Sequence, residues 1–142
     1  MGFMRSGPPA DVARFLLVDD SPTVRLTLAA AIKNAHRGVT EVTEAADGEA
    51  ALREFEAKAP DAVFLDLMLP RMSGLDVLRR MLQTRPEAKI VIITGLPSSD
   101  AQVVQAIAAG AFGFISKPAR TENVRKVLND IEAESGRFGR IR

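Results

Sequence analysis

Five short apolar segments alternate along the chain with longer segments in which apolar residues recur at helical spacing. The apolar segments cover residues 15–19, 41–45, 62–66, 90–94 and 112–116. Four of them are nearly continuous in Val, Ile, Leu or Phe, which is typical of parallel strands covered on both faces. The second segment, EVTEA, alternates polar with apolar residues and therefore predicts a strand at the edge of the sheet.

The longer segments predict helices that pack one apolar stripe against this sheet. In the first of them, apolar residues recur at helical spacing over 24–35. Ser21 and Pro22 are a typical helix start, because a serine side chain caps the helix and proline at the first position loses no hydrogen bond. His36, the only histidine, lies at the expected end of this helix, where we predict an exposed capping role.

The pattern as a whole is (βα)5 and predicts one α/β domain with a parallel sheet. We expect this domain over residues 14–134, a disordered lead-in over 1–13, and a basic tail or linker stub over 135–142.

Of the 142 residues, 46% are hydrophobic and 26% charged, Cys is absent, and the formal net charge is +1. This composition favours a soluble globular domain without disulfides and gives no bulk charge for nucleic-acid binding. No apolar run approaches about 20 residues, so we expect no membrane insertion.

Charged and polar residues follow four of the predicted strands. Asp19 and Asp20 end the first, Asp66 closes the third, Thr94 closes the fourth and Lys117 follows the fifth. In an open parallel sheet, ligands bind outside the carboxyl ends of the strands, so we expect these side chains to meet. Two charges about 4 Å apart repel by about 4 kcal/mol at an effective dielectric constant of 20. Three clustered carboxylates therefore require positive charge nearby.

The residue types indicate what supplies that charge. Lys117 can neutralise one carboxylate, and a set of oxygen ligands without Cys or a nearby His favours Mg²⁺ over Zn²⁺. Mg²⁺ often also binds phosphate, and both Thr94 and Lys117 offer donors to phosphoryl oxygens. A carboxylate such as Asp66 can be the nucleophile that becomes an acyl phosphate. Each residue alone has an ordinary structural explanation, but their joint placement predicts phosphoryl transfer onto Asp66.

Four segments of the chain carry a family likeness. VDDSPTVR, FLDLMLPRMSG, VIITG and GAFGFISKP together resemble the receiver (CheY-like) domain of two-component response regulators, over about residues 14–133. The resemblance implies a flavodoxin-like, doubly wound (βα)5 fold with strand order 2-1-3-4-5, which is general for this family.

The resemblance also implies the metal site and the phosphoacceptor. Asp66 corresponds to the phosphoacceptor. Asp19 and Asp20 correspond to the acidic pair that binds Mg²⁺ with it, and the backbone carbonyl of Met68 corresponds to a further metal ligand.

Three further residues match positions of the family that respond to the phosphate. Thr94 corresponds to the switch hydroxyl, Lys117 to the lysine that contacts the phosphate, and Phe114 to the aromatic switch. A cis peptide bond between Lys117 and Pro118 is implied as well. Burial of the Phe114 ring would drive its inward movement when Thr94 moves toward the phosphate.

By the same resemblance, a sensor histidine kinase or phosphotransfer protein donates the phosphoryl group. The domain itself catalyses only this transfer and its later dephosphorylation. The resemblance further implies that phosphorylation changes the surface of the fourth helix, fifth strand and fifth helix, which a downstream protein target then binds. We expect a cytoplasmic monomer or phosphorylation-dependent dimer that does not contact nucleic acid directly. Ala119 replaces the Phe of many DNA-binding members, so their characteristic dimer is not implied.

Two apolar residues predict the lifetime of the phosphorylated form. Met68 and Leu96 lie two residues after Asp66 and Thr94, at positions that flank the path of the hydrolytic water in this family. A thioether and a hydrocarbon orient water poorly, so we expect slow autodephosphorylation, over minutes or longer.

Other functions fit the residues less well. An enzyme of the haloacid dehalogenase type requires a second acid two residues after its nucleophile, where this chain has Met68. A flavodoxin would have a Ser/Thr/Gly-rich phosphate loop after the first strand, where this chain has Asp20, Ser21 and Pro22. Dinucleotide binding would require a Gly-x-Gly-x-x-Gly turn, which the sequence lacks. The alternative that stays open is an unphosphorylated pseudo-receiver that acts as a protein interaction module.

Overall fold

The structure, a computed structural model, describes residues 12–135. Its strands are β1 (Val12–Val18), β2 (Val39–Ala45), β3 (Ala62–Leu65), β4 (Ile90–Thr94) and β5 (Gly113–Ser116). Its helices are α1 (Pro22–Ala35), α2 (Gly48–Lys58), α3 (Gly74–Thr84), α4 (Ala101–Ala109) and α5 (Thr121–Ser135). The strands are parallel and lie in the order β2-β1-β3-β4-β5. The predicted fold, strand order and edge position of β2 are therefore confirmed.

The sheet separates two hydrophobic cores, because successive side chains of a strand point to opposite faces. Phe15 and Leu17 pack on the face covered by α1 and α5, whereas Leu16 and Val18 pack on the face covered by α2, α3 and α4. This two-sided burial explains why β1 is continuously apolar from Phe15 to Val18. Within residues 12–135, none of the helices combines the length and the apolar character that crossing a bilayer requires.

The first strand begins earlier than predicted. Val12 and Ala13 pair with Val39 and Thr40 of β2, so both residues belong to β1 and not to the lead-in predicted over 1–13. The remainder of that lead-in, and the tail predicted over 135–142 apart from Ser135, lie outside the described residues.

The prediction for His36 is correct about the helix end and wrong about exposure. His36 is the C-cap residue of α1, but it is only 5% exposed and packs edge-on against Phe15, with 6.2 Å between the ring centroids. Its Nδ1 accepts the N–H of Gly38 at 3.2 Å. The reason is its spacing: His36 follows the buried Ile32 by four residues, which places it on the apolar stripe of α1.

Gly110 provides a test of backbone conformation in this fold. It ends α4 at a φ of 116°, which a residue with a side chain rarely adopts, and an added Cβ would lie 3.1 Å from Leu82 Cδ1. We predict that Gly110→Ala lowers the free energy of unfolding by about 1–3 kcal/mol, measured by urea denaturation followed by circular dichroism. Gly113→Ala is the control, since a Cβ there meets nothing within 4 Å. Equal losses in both variants would contradict the prediction.

Candidate functional site

Backbone hydrogen bonds that continue past the strands bring their carboxyl ends together. The N–H of Asp66, directly after β3, donates to the Val18 carbonyl at the end of β1, over 2.9 Å. The N–H of Lys117, directly after β5, donates to the Thr94 carbonyl at the end of β4, also over 2.9 Å. The polar residues that follow neighbouring strands therefore share one edge of the sheet.

Three carboxylates converge at this edge. Asp19, Asp20 and Asp66 each have a carboxylate oxygen within 4.8 Å of the other two. Asp19 and Asp66 are buried, with 2% and 3% exposure, whereas Asp20 is exposed. The structure thus brings together the three acidic residues that the sequence analysis grouped.

Lys117 lies between the two buried carboxylates. Its Nζ is 2.6 Å from Asp19 Oδ2 and 3.0 Å from Asp66 Oδ2. Burial by itself would lower the pKa of Lys117, but hydrogen bonds and charge from both carboxylates outweigh burial and raise it. The peptide bond between Lys117 and Pro118 is cis, as the resemblance implied.

Burial decides the protonation behaviour of Asp66. It raises the pKa of Asp66 above its ordinary value, and the negative charge of Asp19 acts in the same direction. The backbone N–H of Met68, which donates to Asp66 Oδ1 at 3.1 Å, and the ammonium of Lys117 oppose this rise without cancelling it. The ionised carboxylate is therefore less favourable here than in water.

The loop between β1 and α1 positions the acidic pair. Asp19 Oδ1 accepts the N–H of Ser21 at 2.8 Å. Ser21 Oγ in turn accepts the N–H of Val24 at 3.3 Å and caps α1, whose first residue is Pro22, as predicted. A short capped turn therefore orients the Asp19 carboxylate.

The loop between β3 and α3 borders the site at the end of β3. Gly74, the first residue of α3, packs directly on the strand end: an added Cβ would lie 2.2 Å from the Asp66 carbonyl oxygen. Only glycine permits this approach. Met68 is 55% exposed, and an open cavity of about 500 Å³ lies beside it and Asp20. The site is therefore accessible from solvent on this side.

Thr94 and Phe114 lie on adjacent strands. Thr94 is fully buried at the end of β4, and its Oγ1 accepts the N–H of Leu96 at 3.3 Å. Phe114 is partly buried in β5 and lines a cavity of about 430 Å³ beside Val104 and Ile107 of α4. Thr94 therefore lies at the acidic edge, whereas Phe114 lies between the sheet and α4.

The residues present fit a magnesium ion. Three carboxylates and one ammonium leave two negative charges, which a divalent cation balances. The donors are oxygen atoms, which Mg²⁺ prefers, and one of the three carboxylates is open to solvent for the waters that Mg²⁺ retains.

Two arginines near the site were not singled out from the sequence. Arg25 of α1 donates from Nη1 to the Asp19 carbonyl and from Nε to Glu44 of β2. Arg71 of the β3–α3 loop donates to Asp47, the N-cap residue of α2. Arg25 lies within VDDSPTVR, but its partner is 19 residues away in the chain, so no local pattern indicates the contact.

The fold and the acidic edge define a receiver-type α/β domain, and comparison with known proteins agrees. The family model for the response regulator receiver domain matches residues 15–129. The chain is 34% identical over 118 residues to the chemotaxis protein CheY of Thermotoga maritima, which covers 83% of this chain and 96% of that protein. It is 39% identical over 117 residues to the transcriptional activator protein ExaE of Pseudomonas putida, which covers 80% of this chain but only 54% of that longer protein.

Solved structures show the same likeness. A two-component response regulator of the LuxR family from Aurantimonas sp. superposes with a TM-score of 0.78 at 34% identity, covering 87% of this chain and 86% of that one. A chain of the CheX-CheY-BeF3-Mg+2 complex from Borrelia burgdorferi superposes with a TM-score of 0.76 at 26% identity, covering 84% of this chain and 88% of that one. The chain belongs to the response regulator receiver domain family, the CheY-like signalling domains of two-component systems.

The raised pKa of Asp66 predicts how stability depends on pH. Because the folded chain binds this proton more tightly than the unfolded chain, ionisation lowers stability as the pH rises from about 3.8 through the raised value. In metal-free buffer with EDTA, we predict that Asp66→Asn is more stable than the parent at neutral pH. The difference should shrink as the pH falls toward 3.8.

Urea denaturation at several pH values measures this difference. Asp130→Asn, at an exposed position of α5, is the matched control and should show no comparable gain. A parent protein that is at least as stable as Asp66→Asn at neutral pH would contradict the argument.

Proposed function

We propose that this domain accepts a phosphoryl group on Asp66 from a sensor histidine kinase or a phosphotransfer protein. The proposed transfer of the phosphoryl group requires Mg²⁺, which would be held by Asp19, Asp20, Asp66 and the backbone carbonyl of Met68. The observation that carries the proposal is the position of the Lys117 ammonium, 2.6 Å from Asp19 and 3.0 Å from Asp66, at an edge where three carboxylates converge. Such an arrangement leaves net negative charge, which a divalent cation would balance, and that cation could then also bind phosphoryl oxygens.

The residues have separable tasks in the proposed transfer. A carboxylate oxygen of Asp66 attacks phosphorus, the P–N bond of the donor phosphohistidine breaks, and its electron pair stays on the imidazole nitrogen. Lys117 and the Thr94 hydroxyl donate to the phosphoryl oxygens, where charge is spread in the transition state. Mg²⁺ held by Asp19, Asp20 and Asp66 would supply further charge neutralisation for the transferred group. The desolvation of Asp66 makes its ionised form a less well solvated nucleophile.

The relatives support the same chemistry. Receiver domains typically bind Mg²⁺, and the superposed Borrelia burgdorferi complex contains both Mg²⁺ and beryllofluoride. That complex also joins CheY to a second protein, CheX, and thus supports protein partners for the family in general.

Phosphorylation is proposed to change the surface of α4, β5 and α5. Two large apolar side chains of α4 support this, since Val104 is 54% and Ile107 46% exposed beside the cavity that Phe114 lines. Movement of Thr94 toward the phosphate frees space for the Phe114 ring to turn inward, which alters this cavity and favours the state that a downstream protein binds. Equal hydrogen-exchange rates of the α4 and β5 amides with and without beryllofluoride would contradict this step.

Acetyl phosphate provides a direct test of the phosphoacceptor. With Mg²⁺ present, we expect the parent protein to gain one phosphoryl group by intact mass spectrometry, and Asp66→Asn to gain none. Asp76→Asn, at an exposed position of α3, should be phosphorylated like the parent. A folded parent protein that stays unmodified by this donor and by histidine kinases would instead favour the unphosphorylated interaction module.

The exposed Met68 side chain predicts a slow loss of the phosphoryl group. A thioether does not orient an attacking water, so the phosphorylated parent should persist for minutes or longer. We predict that Met68→Asn shortens this lifetime, because an amide can both donate to and accept from water at this position. The decay is measured with labelled phosphate, and Leu26→Asn, on the exposed face of α1, is the control. Loss of the label from the parent within seconds would contradict the prediction.

A further inference from the structure

Arg25 has an unusual position for a cation. It lies near the N-terminal end of α1, where the helix dipole disfavours positive charge. Its side chain is only 14% exposed. Nε donates to Glu44 Oε1 of β2 at 2.7 Å, and Nη1 donates to the backbone carbonyl of Asp19. One guanidinium therefore joins α1, β2 and the loop that follows β1.

That loop carries two of the three clustered carboxylates. It consists of residues 19–21 between β1 and α1. Its first residue is held from both sides: the Asp19 N–H donates to the Ala45 carbonyl of β2 at 3.1 Å, and the Asp19 carbonyl accepts from Arg25. The repulsion among the carboxylates that Lys117 does not balance would push the loop away from Asp66, and the bond from Arg25 opposes such a displacement.

We propose that Arg25 is a positioning residue for the metal site. By holding the Asp19 carbonyl, with Glu44 fixing the guanidinium, it sets the directions of the Asp19 and Asp20 side chains before Mg²⁺ binds. The inference rests on the proposed function, because it assumes that Mg²⁺ binds at these carboxylates. Residues that orient metal ligands without touching the metal typically contribute about 10- to 100-fold to metal affinity.

Arg14 is a matched comparison within the same sheet. Its Nη1 donates to the Lys58 carbonyl at 2.9 Å, and its Nε lies 3.4 Å from Glu41 of β2. It therefore also joins a backbone carbonyl to a glutamate of β2, but near the N-terminal ends of the strands, at the edge opposite the carboxylates. A purely structural arginine junction is thus available in this chain as a control.

Calorimetric titration of Mg²⁺ into the full chain tests the proposal, since the protein has no Trp or Tyr for a fluorescence readout. We expect Arg25→Ala to weaken Mg²⁺ binding by about 10- to 100-fold and Arg14→Ala to bind like the parent. Arg25→Lys should lie between, because an ammonium lacks the planar fork that contacts both partners. Without metal, the Ser21 amide, which donates to Asp19, should exchange its hydrogen faster in Arg25→Ala than in Arg14→Ala.

The outcomes separate this inference from the proposed function. Parental Mg²⁺ affinity in folded Arg25→Ala would overturn the positioning role alone, whereas a parent protein that binds no Mg²⁺ would overturn the proposed function as well. An equal loss of affinity in Arg25→Ala and Arg14→Ala would show a general structural effect and also overturn the role. If Arg25→Ala does not fold, Arg25→Lys and Glu44→Gln take its place, and parental affinity in both would overturn it.

Discussion

The contact of one ammonium with two buried carboxylates is the constraint on which this structure depends. Asp19 and Asp66 repel each other, and both are removed from water, so neither position is tolerable without a cation between them. Lys117 supplies that cation from the end of β5, two strands away from β3. The order of the strands therefore allows Lys117 to reach both carboxylates. One ammonium does not balance three clustered carboxylates, so negative charge remains that a divalent cation would balance.

The remainder of the site is built to keep this arrangement without flexible parts. A capped turn orients Asp19, the start of α3 rests directly on the backbone of Asp66 at Gly74, and Arg25 ties the first loop to β2. Each contact involves a backbone atom: the Ser21 amide, the backbone of Asp66 and the carbonyl of Asp19. In the proposed transfer, Mg²⁺ and the phosphoryl group would therefore meet carboxylates that are already aligned, which would lower the cost of organising them.

Much of the candidate site was predictable because parallel strands share one direction. Residues that follow different strands meet at the same edge, so the grouping of Asp19, Asp20, Asp66 and Lys117 needed only the strand positions and their polarity. The burial of His36 was also within reach, since it follows Ile32 by one helical turn. The prediction that His36 is exposed was wrong because it considered the helix end alone and not the apolar stripe that the residue continues.

The sequence by itself determined the order of the elements, the edge position of β2 and the residues gathered at the acidic edge, because these follow from local periodicity and from strand direction. Tertiary structure alone decided that Arg25 reaches both Glu44 and the Asp19 carbonyl, and that a side chain at Gly74 would strike the Asp66 backbone. Such contacts depend on the distance and direction between separate elements. That geometry is set by how the helices pack on the sheet, and no periodicity along the chain encodes it.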